Sequence, residues 1–122
     1  MTFENVFWPD SQLLSIQIEY NQANILVWND VLQKKLLIKC TGFAGMTNLC
    51  IWDDTIIYKA SIKQVYDSDN EFITNLFTAY SKDTDYGGRT LNSILLELKI
   101  ELTNNIPFMI YCQKVEVLCC DI

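Results

Sequence analysis

The chain has 122 residues, half of them apolar and a fifth of them charged, with a formal net charge of −6 and no histidine. This length and composition predict one packed domain (residues 1–122) and exclude a disordered chain. The acidic balance counts against binding of nucleic acids or anionic membranes, and no apolar run approaches the roughly twenty residues that span a bilayer. Because the first residues lack the basic start and apolar core of a secretion signal, we expect a cytoplasmic protein.

The first half of the chain predicts strands and turns. Apolar and polar residues alternate over residues 14–20 and 35–40, and residues 25–28 form a short apolar run between them. A polar turn at residues 21–24 joins the first segment to this run, which predicts a hairpin. A further strand is predicted over residues 55–65. Its apolar residues expected to share one face are Ile56, Tyr58, Ala60 and Ile62.

One helix is predicted at about residues 68–80. Ser68 is followed three positions later by Glu71, which is the spacing of a capping box at a helix start. Apolar residues then recur at helical spacing: Phe72, Ile73, Leu76, Phe77 and Tyr80. This stripe predicts a helix that packs one face against a sheet.

The last thirty residues predict a long β-hairpin. Every second residue from Ile94 to Leu102 is apolar, whereas Glu97, Lys99 and Glu101 are expected to face solvent. A three-residue loop at 103–105 matches the apolar faces, because it pairs Ile100 with Phe108; Asn105 then takes the left-handed conformation. The apolar positions change parity after Cys112, so we predict a β-bulge at Gln113-Lys114.

Together these elements predict an α+β fold. The expected architecture is a mostly antiparallel, curled β-sheet of half-barrel or sandwich type. One main helix packs against this sheet, and the long hairpin closes the chain.

The composition offers little for catalysis. Without histidine, the usual general base near neutral pH is missing. The five cysteines show no CxxC spacing, and Cys119-Cys120 without histidine makes an incomplete ligand set for a metal. We therefore expect no catalytic residue, cofactor or metal, and we interpret the cysteines as small apolar residues.

Acidic residues concentrate in the second half of the chain. Residues 1–65 hold six acidic and five basic side chains, whereas residues 66–122 hold nine acidic and four basic ones. One interpretation is structural, because carboxylates near a helix start are favoured by the helix dipole. The other is a surface for a basic protein partner, in which aromatic side chains lie among carboxylates. Its candidate residues are Trp52, Asp53, Asp54, Asp67, Asp69, Asp83, Asp85 and Tyr86.

The capped helix is followed by a closing hairpin at 91–119, which ends Val115-Glu116-Val117-Leu118. In its size, its acidic charge and these two elements, the chain resembles bacterial immunity proteins of contact-dependent and polymorphic toxin systems. The resemblance lies in organisation, and it assigns no functional residue. It implies a non-enzymatic domain that binds one basic toxin domain without turnover. Two alternatives stay open. One is a small-molecule-binding protein or carboxylate-dependent enzyme with a pocket between helix and sheet. The other is a homodimer that forms through a strand edge.

Overall fold

The computed structural model describes residues 1–47, 56–66, 69–82, 94–103 and 107–120. Within these ranges the chain forms eight strands and one α-helix, so the predicted α+β class is confirmed. In chain order the elements are β1 (Gln12–Glu19), β2 (Gln22–Asn29), β3 (Lys34–Thr41), β4 (Gly45–Thr47), β5 (Ile57–Tyr66), α1 (Glu71–Lys82), β6 (Ile94–Leu102), β7 (Pro107–Cys112) and β8 (Lys114–Cys120).

The strands form two antiparallel sheets of four strands each. The first sheet has the order β1-β2-β3-β8 and the second has the order β4-β7-β6-β5. As formed by the described strands, neither sheet closes into a barrel. The sheets touch at one side through a bridge between Gln12 and Ile56, and the chain crosses between them at Gln113, between β7 and β8. The result is the sandwich form of the predicted fold.

The main core lies between the two sheets. Residues alternate between buried and partly buried along β2, as the period of two requires. Each large apolar side chain that is fully buried stabilises the fold by about 1.5–3 kcal/mol. The largest in this core are Leu13, Ile25, Leu36 and Ile38 from the first sheet, and Ile57, Leu98, Ile100, Leu102 and Ile110 from the second.

The predicted hairpin register is confirmed, because Ile100 pairs with Phe108. Asn105, for which a left-handed conformation was predicted, lies outside the described residues. The predicted bulge at Gln113-Lys114 is wrong. β7 ends at Cys112 in the second sheet, and β8 begins at Lys114 in the first. The change of parity therefore marks a corner between two facing sheets. A chain that passes from one sheet to the other must turn its apolar side chains the opposite way, because both sheets share the core between them.

The helix covers the opposite face of the second sheet. A smaller core lies there, formed by Ala44, Val65, Ile73, Phe77, Leu95 and Tyr111. Glu97 shares this face of β6 and is only 8% exposed, so the prediction that it faces solvent is wrong. The cause is the helix layer, which covers the part of this face around Leu95 and Tyr111. The second sheet is therefore the middle of three layers.

The helix start differs from the prediction. α1 begins at Glu71, and the backbone N–H of Ile73 donates to Asn70 Oδ1 at 2.9 Å, which makes Asn70 the N-cap. The predicted pairing of Ser68 with Glu71 as a capping box is therefore wrong, because Glu71 occupies the first helical position. Ser68 lies outside the described residues. Serine and asparagine cap helices equally well, so the sequence alone could not choose between them.

Two β-bulges change the predicted faces of edge strands. The β1–β2 ladder skips Leu14, and the β5–β6 ladder skips Tyr58. Because a bulge adds one residue to a strand, the alternation of inward and outward side chains shifts by one position beyond it. Leu13 and Ile57 are therefore buried, whereas Leu14 and Tyr58 are exposed. The prediction that Tyr58 shares a face with the other apolar residues of its strand is wrong.

Candidate functional site

The structure describes one residue of the predicted acidic surface. Asp69 Oδ2 accepts a hydrogen bond from the backbone N–H of Tyr66 at 2.7 Å, and the Asp69 N–H donates to the Tyr66 carbonyl at 2.9 Å. Asp69 therefore closes the turn between β5 and α1 while staying exposed. The other predicted residues lie outside the described residues: Trp52, Asp53, Asp54, Asp67, Asp83, Asp85 and Tyr86.

One end of the sandwich carries a group of exposed apolar side chains that the sequence interpretation missed. Phe7 is 57% exposed, Val31 66%, Leu32 41% and Tyr58 62%. They belong to the segment before β1, the turn between β2 and β3, and the start of β5. We name these four side chains the end patch. Apolar residues in a turn, as at Val31-Leu32, were the available sequence signal, because turns are normally polar.

The side chain of Asn29 joins two segments of the end patch. Asn29 Nδ2 donates to the Phe7 carbonyl at 2.9 Å and to Ser11 Oγ at 3.2 Å. Asn29 Oδ1 accepts from the backbone N–H of Leu32 at 2.9 Å. Asn29 and Ser11 are both 1% exposed. A buried amide with all these partners fixes the position of the loops that it connects.

The segment before β1 is anchored in the core. Trp8 Nε1 donates to the Phe3 carbonyl at 3.0 Å, and the two rings lie 4.9 Å apart. Phe3, Val6 and Trp8 all belong to the main core. Phe7 therefore projects outward from a segment whose neighbouring side chains are buried.

Tyr58 lies beside the same segment. The backbone N–H of Asp10 donates to the Ile57 carbonyl at 2.9 Å. A groove of about 410 Å³ runs past Phe7, and a second groove of about 400 Å³ runs past Tyr58. Pro9 and Lys59 line both grooves, so the end patch is continuous from the first segment to β5.

The loops of this end hold uncommon backbone conformations. Asp10 has a φ of 67° and Gln33 has a φ of 55°. Both values lie in the left-handed region, which residues other than glycine rarely adopt. The side chain of Gln33 donates to the Asp30 carbonyl at 2.6 Å and to Asp30 Oδ1 at 3.0 Å. Such conformations persist where the surroundings determine them, and they concentrate at binding sites.

Carboxylates outnumber ammonium groups around the end patch in the described part of the chain. The charged residues that line its grooves, belong to its turn or directly follow that turn are Glu4, Asp10, Asp30, Lys34 and Lys59. The outer face of the first sheet differs. There Leu26, Leu37 and Leu118 form a row across three strands. The charged residues of that same face among the described strands are Lys35, Lys39 and Lys114, with Glu19 and Glu116, so ammonium groups outnumber carboxylates there. The end patch therefore suits a basic partner better than this sheet face does.

A buried carboxylate lies on the helix side of the second sheet. Tyr111 donates to Glu97 Oε2 at 2.9 Å, and Lys63 Nζ lies 3.8 Å from Glu97 Oε1. The ring of Phe72 lies 5.4 Å from that of Tyr111. Burial, together with the hydrogen bond to Glu97, raises the pKa of Tyr111 above its ordinary value. The hydroxyl therefore stays protonated and remains a donor to Glu97.

No family model matches the chain, and no curated protein matches it in sequence. Among the residues that the structure describes, no helix has the length and apolar character needed to cross a bilayer. Across the same residues, no cluster of three or more cysteine, aspartate and glutamate side chains is placed to hold a metal ion.

Proposed function

We propose that this protein is a non-enzymatic domain that binds another protein through the end patch. The observation that supports this most directly is the exposure of four large apolar side chains, three of them on loops that the buried Asn29 side chain holds by hydrogen bonds. Apolar surface of this kind marks interaction sites, because its burial releases free energy without a large ordering cost. Aromatic side chains such as Phe7 and Tyr58 commonly supply a large share of binding energy at such sites.

We further propose that the partner is a basic domain, such as the toxin that an immunity protein neutralises in the cytoplasm. The net charge of −6 attracts a basic protein over distances of about one Debye length. Carboxylates beside the end patch favour the same partner at contact. The acidic residues predicted from the sequence add to this field, and Asp69 contributes while its side chain closes a turn.

The first candidate partner to test is the product of the gene beside that of this chain. We expect Phe7→Ser combined with Tyr58→Ser to weaken binding at least tenfold, which corresponds to about 1.4 kcal/mol. Leu118→Ser is the matched control, since Leu118 is 44% exposed on the outer face of the first sheet. Equal affinities for the double variant, the control and the wild type would overturn the proposed site.

Charge reversal tests the acidic surface independently. Replacing Asp67, Asp69, Asp83 and Asp85 with lysine should lower the association rate and reduce its dependence on salt. An unchanged rate at low and high ionic strength would remove these residues from the proposal and leave the end patch to be judged separately.

The second candidate function is a small-molecule site or carboxylate-dependent enzyme between helix and sheet. Glu97 favours it, because this carboxylate is buried on the helix side of β6. The hydrogen bond that Tyr111 donates to Glu97 also stabilises the fold, so the burial of Glu97 alone does not identify an enzyme. Measuring catalytic turnover decides between the two roles. An activity found in a substrate screen and abolished by Glu97→Gln, with folding retained, would favour this candidate over protein binding.

A further inference from the structure

Two cysteines meet between the sheets. Cys40 belongs to β3 in the first sheet and Cys112 ends β7 in the second, and both are 0% exposed. Both belong to the main core. The two residues lie beside the corner at which β7 leads into β8. The sequence interpretation of cysteines as small core residues is confirmed for these two, but it did not place them in the same core.

The backbone segments that directly follow the two cysteines are in contact. The N–H of Gln113 donates to the Thr41 carbonyl at 3.0 Å. Gly42 is buried with a φ of +70°, and a Cβ at this position would lie 2.7–2.9 Å from the Gln113 side chain. Only glycine allows this close approach, so the corner holds the segments that follow Cys40 and Cys112 together.

We propose that Cys40 and Cys112 are a redox-sensitive pair that closes to a disulfide between the two sheets in the presence of a small-molecule disulfide such as glutathione disulfide. The thiolate of one cysteine attacks glutathione disulfide, forming a mixed disulfide and releasing one glutathione. The second cysteine, as thiolate, attacks the protein sulfur of the mixed disulfide and releases the second glutathione. The protein loses two protons and two electrons, and one glutathione disulfide becomes two glutathione molecules.

The folded protein protects the pair from this reaction. Both thiols are buried, and the influence of the neighbouring Cys112 thiol together with burial raises the pKa of Cys40 well above its ordinary value. The reactive thiolate is therefore scarce in the folded state. The disulfide forms while the corner is open, during folding or transient unfolding, and folding then encloses it.

Closure has a structural consequence that can be measured. The bond would join residues 40 and 112, and the loop between them contains α1 and all four strands of the second sheet. Constraining so long a loop removes conformational freedom from the unfolded chain. We expect the oxidised protein to unfold at a temperature roughly 10 °C higher than the reduced protein.

The experiment refolds the full chain with glutathione disulfide or with reductant and maps disulfides by non-reducing peptide mass spectrometry. We expect Cys40–Cys112 to be the dominant link after oxidative refolding, with the folded reduced protein reacting far more slowly. Cys40→Ala and Cys112→Ala should each abolish the link and the temperature shift, whereas Cys119→Ser, at an exposed cysteine, should keep both.

Two results would overturn the proposal, and both come from wild-type protein, so they do not depend on the variants folding. One is a map dominated by glutathione adducts or by other pairs such as Cys119–Cys120. The other is a Cys40–Cys112 link that leaves the unfolding temperature unchanged or lowers it. Partner binding plays no part in either measurement, so this inference stands or fails separately from the proposed function.

Discussion

Replacing Asn29 with alanine should destabilise the protein strongly although Asn29 is a polar residue at the end of a strand. The substitution removes three hydrogen bonds, to the Phe7 carbonyl, to Ser11 Oγ and from the Leu32 N–H. A typical hydrogen bond contributes about 0.5–1.5 kcal/mol, and buried groups left without partners cost more. We therefore expect the free energy of unfolding to fall by roughly 2–4 kcal/mol.

Urea unfolding followed by far-UV circular dichroism measures this change. Asn24→Ala is the matched control, because Asn24 lies on the same strand but is only partly buried and accepts a bond from Gln22. We expect the control to lose less than about 1 kcal/mol. Equal losses for the two variants would refute the conclusion that Asn29 holds the end patch in place. Amide exchange at Leu32 should accelerate in Asn29→Ala alone.

Three further predictions concern the rest of the fold. Trp8→Ala should lower the free energy of unfolding by about 3–5 kcal/mol, because this side chain is 3% exposed in the main core; Trp28→Ala, at a partly exposed position, should cost clearly less in the same urea titration. Asn70→Ala should cost about 1 kcal/mol through loss of the helix cap, whereas Asn75→Ala, exposed within α1, should be neutral or slightly stabilising, as measured by thermal unfolding. The raised pKa of Tyr111 means that the folded state keeps a proton that the unfolded chain releases above about pH 10, so stability should fall as the pH rises past that value. Tyr111→Phe should show a shallower fall in urea titrations across this range, and equal slopes for variant and wild type would contradict the assignment.

Much of the fold could be predicted because the alternation of apolar residues is strong. The parity of β6 and β7 required a loop that pairs Ile100 with Phe108, and the structure has that pairing. The bulges at Leu14 and Tyr58 could not be predicted, since neither position carries a residue that requires a bulge. The corner at Gln113 produces the same change of parity as a bulge, and only tertiary structure distinguishes the two.

The candidate site was harder to predict than the fold. Phe7 and Tyr58 are apolar residues in apolar surroundings, so the sequence suggests core positions for both. Their exposure depends on Trp8 filling the core beside Phe7 and on a bulge that turns Tyr58 outward. Both causes are tertiary. Asn29 gave no signal either, because asparagine at the end of a strand usually marks only a turn.

The three-layer arrangement gives β6 a special place in the dynamics of the molecule. Its two edges are occupied by β5 and β7, one face by the first sheet and the other by the helix layer. We therefore expect the amide groups of this strand to exchange with solvent mainly through global unfolding rather than through fluctuations of the loops that carry the end patch.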